Sequence, residues 1–276
     1  MLPYTVDELI EAAGNLPPIP KTARKALALI REKDTNVVEI STAISVDQVL
    51  VSRVLRWANS AYYSVGQSIN TVHQAIMVLG LSVVCDIILT SSISSYLNRP
   101  LPGYYLRKGE LWRHSIGVAL GARAIARMKA WKNGEDLYYA GLLCDIGKLA
   151  FEKLLREEGL ELNGDFLECE REHFGIDHAA LGAEMARRWH LPEEYIETIH
   201  YHHRPDESST HSDMVAAIHV ADVVVSMLGI GLGRDGLQYH LDRGAVERLG
   251  FGENEFMNLV YQVLDQIDMV EMFVES

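Results

Sequence analysis

An all-α, multi-helix bundle is predicted for this 276-residue chain by three observations. Apolar residues recur at three- and four-residue spacing along nearly its whole length, alternating strand-like runs are missing, and proline and glycine fall between periodic segments more than inside them. A hydrophobic content of 48% is ample for a sizeable core.

Taken in order, Pro17-Pro18-Ile19-Pro20 introduces the first well-marked helix, whose apolar face runs through Ala23, Ala26, Leu27 and Ile30. Asp34-Thr35-Asn36 offers caps for a second helix and Ser45-Val46-Asp47 for a third, which carries Val51, Val54, Leu55 and Ala58. Asn70-Thr71 caps a fourth with Val72, Ala75, Ile76 and Leu79. Between the last two, Asn59-Ser60-Ala61-Tyr62-Tyr63 reads as a helix end and turn in which Asn and Ser satisfy stray backbone groups, or else as a ligand or partner surface. Periodicity lapses over Leu97-Asn98-Arg99-Pro100-Leu101-Pro102-Gly103. The chain is divided there into an N-terminal helical subdomain, residues 1–103, and a histidine-containing helical subdomain, residues 104–276. In the second part a helix through Ile116, Leu120 and Ile125 comes first, and loops are expected at Gly159 to Asp165, Arg204 to Ser209 and Gly229 to Gly236. Glu253 to Val270 reads as a terminal amphipathic helix through Phe256, Leu259, Val260, Val263, Leu264 and Ile267.

Composition excludes several classes of function. A net charge of −13 repels phosphate backbones, so nucleic acid is not an expected partner. The stretch Val37 to Asn59 imitates a helix-turn-helix reader, but Arg53 and Arg56 are its only basic residues. The apolar runs are far shorter than the roughly 20 residues of a membrane span, so no membrane insertion is expected. The first residues lack a basic region followed by an apolar core, and Cys85, Cys144 and Cys169 are odd in number and far apart. Reduced thiols in a cytoplasm are expected.

Histidine is the feature that calls for chemistry: seven of the 11 lie between His173 and His211. Five segments carry potential ligands, namely His114, Asp145, His178, the pair His202-His203, and Asp222. Nitrogen and carboxylate donors suit a divalent ion such as Fe, Mn, Zn or Ni, which acidifies bound water and polarises phosphoryl oxygen. Lys148, one turn beyond Asp145, could face an anionic substrate.

Each residue also has a plainer role. Asp145 could pair with Lys148 at three-residue spacing, His114 could be a hydrogen-bonded core histidine, and His178 could simply enter a helix after Asp177. His202 and His203 point about 100° apart on a helix, so one segment supplies both only at a frayed end or to two metals; otherwise they form a solvated terminus. Asp222, between Val220 and Val223, needs a partner, and either a metal or His114 would serve. His173, His190, His200, His211, His219 and His240 are read as structural.

The motifs Leu16-Pro17-Pro18-Ile19-Pro20, Ile44-Ser45-Val46-Asp47, Leu55-Arg56-Trp57-Ala58-Asn59-Ser60, Trp112-Arg113-His114-Ser115 and Gly141-Leu142-Leu143-Cys144-Asp145-Ile146-Gly147-Lys148 stand in one order with His178-Ala179-Ala180-Leu181-Gly182 and His202-His203-Arg204-Pro205. Over about residues 16 to 225 the chain resembles the HDOD domain, a relative of the HD phosphohydrolases found in bacterial signalling proteins. The resemblance implies an HD-like C-terminal subdomain with a metal shell drawn from His114, Cys144, Asp145, His178, His202, His203 and Asp222, holding one or two ions. Asp145 and Lys148 would be the catalytic residues of an active enzyme. Cys144 stands where a histidine ligand is expected; it is either a small buried apolar side chain or a thiolate ligand. Arg204-Pro205-Asp206 replaces the acidic residue and Gly-Tyr-Pro element of the related cyclic-di-GMP phosphodiesterases. The resemblance therefore implies a regulatory, non-catalytic module acting through ligand or protein binding, with a metal-dependent phosphohydrolase as the alternative. A signalling protein supplied in trans and a small phosphorylated ligand are the partners it implies.

Overall fold

A computed structural model describes residues 4–12, 37–45, 47–59, 66, 68–162, 164–233 and 240–274. The helix expected after Pro17-Pro18-Ile19-Pro20, the caps at Asp34-Thr35-Asn36, and residues 60–63 and 234–236 lie outside them. Every extended element among the described residues is helical, and the isolated bridge Leu101 to Leu106 is the sole strand-like pairing there. The helices are α1 Val6–Ala12, α2 Val37–Ser45, α3 Gln48–Ala58, α4 Val72–Leu79, α5 Leu81–Leu97, α6 Glu110–Met128, α7 Gly134–Leu143, α8 Lys148–Glu158, α9 Phe166–Phe174, α10 His178–Arg188, α11 Glu193–Tyr201, α12 Ser212–Met227, α13 Arg243–Leu249 and α14 Glu253–Val274. Short 3-10 turns occupy Pro102–Tyr104 and Pro205–Glu207. No single helix is long and apolar enough to cross a membrane.

Two compact units result: Pro17–Ser95, and Met1–Leu16 together with Tyr96–Ser276. In the smaller, α2, α3 and α4 pack on one another through one buried face each: Ile40 and Ile44; Leu50, Val54 and Ala58; Val72, Ala75 and Ile76. The four-residue steps place those side chains on single stripes. The caps behave as expected, for Asp47 accepts from the Leu50 N–H and Thr71 from the Gln74 N–H. Asn59 closes α3, its amide donating to the Leu55 and Ile69 carbonyls while its oxygen accepts from the Ile69 N–H.

In the larger unit α6 is the central helix, buried almost without interruption from Leu111 to Ala126 and packed against α7, α12 and α14. Gly117 and Gly121 let two of these approach closely: a Cβ on Gly117 would press on Val225 and Ile267, and one on Gly121 on Ala221 and Val263. Helices α12 and α14 therefore run side by side along α6, both antiparallel to it. The terminal helix buries Leu259, Val263 and Ile267, but Leu264, expected inside, is exposed, because the contact with α6 is narrower than the apolar stripe. Helix α1 also departs from the 1–103 subdomain: it packs on α8 and α10, with Leu9 buried, Asp7 paired to Arg188 and Tyr4 against Phe174.

Candidate metal centre

Four chain segments bring their polar residues to one place. The corner between α7 and α8 presents Asp145, and the start of α10 presents His178. This corner can approach α10 because residue 147 is glycine: a Cβ there would collide with the His178 carbonyl and crowd the Gly182 N–H. Asp177 caps α10 by accepting from the Ala180 N–H, which fixes the first turn and hence the direction of His178. Helix α11 stops at Tyr201, so His202 and His203 follow in a turn with their rings 3.9 Å apart at centroid. This is the frayed end that lets adjacent histidines face one site. Arg204 keeps the turn close to α10 through Asp177, 3.5 Å away, and pairs also with Glu207. Finally α6 and α12 bring His114 and Asp222 together, Nε2 to Oδ1 at 2.8 Å.

Asp145, His178, His202 and His203 form the tightest group, with one donor atom from each lying within 4.8 Å of the others. Asp145 Oδ1 is 3.2 Å from His178 Nε2 and 3.8 Å from His202 Nε2, and the His178 and His203 Nε2 atoms are 3.0 Å apart. The other carboxylate oxygen, Oδ2, lies 3.1 Å from Lys148 Nζ and 3.4 Å from His114 Nε2. His203 Nδ1 is 3.7 Å from Asp222 Oδ2, which links the two halves. Cys144 is not brought in: its thiol donates to the Gly141 carbonyl, 3.1 Å away, and burial followed by the charges of Asp145 and Asp222 pushes its pKa well above 9.0. It is the buried neutral thiol of the two readings.

The site's electrostatics follow from burying charge among imidazoles. Burial opposes ionisation of Asp145, yet Lys148 and the neighbouring histidines hold its carboxyl well below the usual range. Burial likewise works against a charge on His178, but Glu170 and Asp145 raise it to about 10. Burial and the neighbouring His202 and His178 push His203 well below 6.5. For His114 burial lowers and Asp222 raises, and the carboxylate wins. Three atoms nevertheless stay buried without a hydrogen-bond partner: Asp145 Oδ1, His202 Nε2 and Asp222 Oδ2. Such atoms are costly unless something satisfies them, and two lone pairs on oxygen beside an imidazole nitrogen are what a cation would satisfy. Three nitrogens and one oxygen fit a borderline transition ion of the Fe, Mn, Zn or Ni kind better than Ca or Mg.

Sequence reading missed the support behind these donors. Glu170 is fully buried, and its oxygens accept from the Tyr104 hydroxyl at 2.7 Å, the His178 N–H at 2.7 Å and His178 Nδ1 at 2.8 Å. A carboxylate on Nδ1 turns Nε2 inward as the ligand atom and raises its basicity. The available signal was position: among Glu168, Glu170 and Glu172, Glu170 alone lies on the stripe of Phe166, Leu167 and Phe174. His219 was rightly read as structural but has a definite task, its Nδ1 facing the His202 carbonyl at 2.8 Å while Nε2 accepts from the Asp242 N–H.

Comparison with known proteins agrees with this arrangement. A structure from Geobacter sulfurreducens, an HDOD domain protein of unknown function, is 27% identical with a TM-score of 0.76, covering 98% of this chain and 96% of that one. A candidate signal transduction protein from Marinobacter aquaeolei VT8 has the same TM-score at 19% identity, covering 98% of this chain and 66% of that one, which shows the fold alone. An uncharacterized protein of Treponema pallidum is 24% identical over 235 residues; the match takes in 80% of this chain but 44% of the relative, so the chain spans under half of that protein's length. The HDOD family itself matches residues 16–205, most of the chain and all four ligands of the tight group. The chain belongs to the HDOD domain family.

Proposed function

We propose that this chain is a cytoplasmic signal-transduction module whose Asp145, His178, His202 and His203 hold a divalent ion, and that it acts by binding, either a small phosphorylated ligand or a protein partner supplied in trans, rather than by turnover. One observation carries the metal reading: the buried, unpartnered Asp145 Oδ1 and His202 Nε2 beside His178 and His203. When bound, the ion would supply Lewis acidity and lower the pKa of a coordinated water. The residues themselves supply a dry enclosure. Asp145, His114, His178, His202 and Asp222 are all buried, and catalytic metal sites keep a position that substrate can reach. The glycine loop after α12 contributes to the seal, with Ile230 O 3.3 Å from His114 Nδ1 and Gly231 packed where any Cβ would strike the Glu110 carbonyl. Metal-dependent hydrolysis of a phosphate ester is the second reading, favoured by the nearly complete set of donors.

Elemental analysis of protein purified without chelators tests the first step, with bound transition metal expected and lost in Asp145→Ala. Protein that neither carries metal nor takes it up on titration would sink both metal readings. A phosphoester panel then separates binding from turnover: no Asp145-dependent hydrolysis is expected, and hydrolysis abolished by Asp145→Ala would establish the enzyme.

A further inference from the structure

We propose that the pocket takes a single divalent ion, because Lys148 and the His114–Asp222 pair already occupy the half of the cluster where a second ion would sit. This rests on the metal-binding reading above and concerns what the remaining residues do around it. Asp145 faces two ways. Its Oδ1 side, with His178 and His202, holds unsatisfied donor atoms, whereas its Oδ2 side meets the Lys148 ammonium at 3.1 Å and His114 at 3.4 Å. A carboxylate bridging two ions gives one oxygen to each, so the second ion would have to stand where Lys148 Nζ and His114 Nε2 stand.

His114 is poorly placed as a donor to such an ion. Its Nε2 faces Asp222 Oδ1 at 2.8 Å and its Nδ1 faces the Ile230 carbonyl at 3.3 Å. Both neighbours only accept, so both ring nitrogens donate and neither offers a lone pair. Cys144, the remaining residue of that half, points its thiol at Gly141 O instead. Lys148 is itself buried at the first position of α8, and a dication brought to Oδ2 would share a dry space with an ammonium. Lys148, expected from sequence to face substrate, thus becomes an internal counter-ion: two carboxylates, Asp145 and Asp222, are balanced by one lysine and one doubly hydrogen-bonded histidine.

The test is stoichiometric. Full-length protein is titrated with Zn2+ and its bound metal counted after desalting. One equivalent is expected for wild type and for Lys148→Arg, and a second for Lys148→Met, which keeps the stem and removes the charge. Wild type holding two equivalents would overturn the inference while leaving the metal reading intact; wild type holding none would overturn that reading first. Lys148→Met staying at one equivalent would refute the role given to the ammonium. Should that variant misfold, Mn2+-loaded wild type decides by electron paramagnetic resonance. The hyperfine pattern of an isolated ion is expected, and an exchange-coupled pair would refute the proposal.

Discussion

His178 and His202 contribute to the same cluster but are held there by different physics. His178 is gripped by charge: its backbone N–H and Nδ1 both reach Glu170, whose other contact is the Tyr104 hydroxyl. His202 is gripped by backbone: its Nδ1 faces the Ile199 carbonyl at 2.7 Å, and its own carbonyl is met by His219 from α12. The first arrangement raises the basicity of the ligand nitrogen, and the second fixes direction without adding charge. Glu170 with Asp145 accounts for the high pKa of His178; without metal its imidazolium serves as the cation between the two acids. A metal would take the place of that proton.

Removing the charged grip should have the largest effect. Glu170→Ala leaves the Tyr104 hydroxyl and two His178 donors buried without an acceptor, at a cost of about 3–5 kcal/mol in denaturant unfolding. Glu170→Gln keeps the shape, so the protein should fold and lose metal affinity by roughly 10- to 100-fold in competition titrations. Affinity unchanged in Glu170→Gln would mean that charge is not what distinguishes His178. Gly147→Ala comes next. Its new Cβ meets the His178 carbonyl, so the α7–α8 corner must withdraw, at about 1–3 kcal/mol, and carry Asp145 away from the histidines. Weakened metal binding with a folded far-ultraviolet spectrum is the expected result.

The same contrast explains what was legible in the sequence. Helices announced themselves through periodicity and caps, as Asp47, Thr71 and Asp177 confirm. Asp222 declared its need for a partner because a carboxylate among valines has few ways to be satisfied, and His114 supplies one. The paired histidines were readable as a helix end. Glu170 was hidden among three glutamates in one helix, where only its register against Phe166 and Phe174 marks it. Gly147 was unreadable for a different reason: it looks like punctuation before a helix, and its purpose is a backbone contact with a distant segment. Lys148 was read by its spacing from Asp145, which shows the pair but not that burial turns the ammonium inward.

Breaking the backbone grip should matter less. His219→Leu removes the side chain facing the His202 carbonyl and the acceptor for the Asp242 N–H, for about 1–3 kcal/mol of stability. Metal affinity should fall by less than in Glu170→Gln, since Nε2 of His202 keeps its basicity. An equal or greater loss would show that direction, not charge, limits the site.

The smallest effect belongs to Glu197, which orders the segment after the paired histidines. One of its oxygens accepts from the Ser208 hydroxyl and from the Ser209, Thr210 and His211 N–H groups. Burial raises its pKa, but those donors outweigh burial and leave it below 4.5. A carboxyl depressed on folding contributes stability that is complete above its unfolded pKa and disappears as pH falls through the folded value. Glu197→Gln should therefore cost about 1 kcal/mol at neutral pH, and the gap from wild type should close only once the medium is more acidic than pH 4.5. Urea midpoints of the two proteins compared across that range give the measurement. A gap that widens on acidification would reverse the sign and remove Glu197 as the organiser of this turn. Because the segment begins directly beyond His203 and Arg204, a small loss of metal affinity is expected alongside, well below that of His219→Leu.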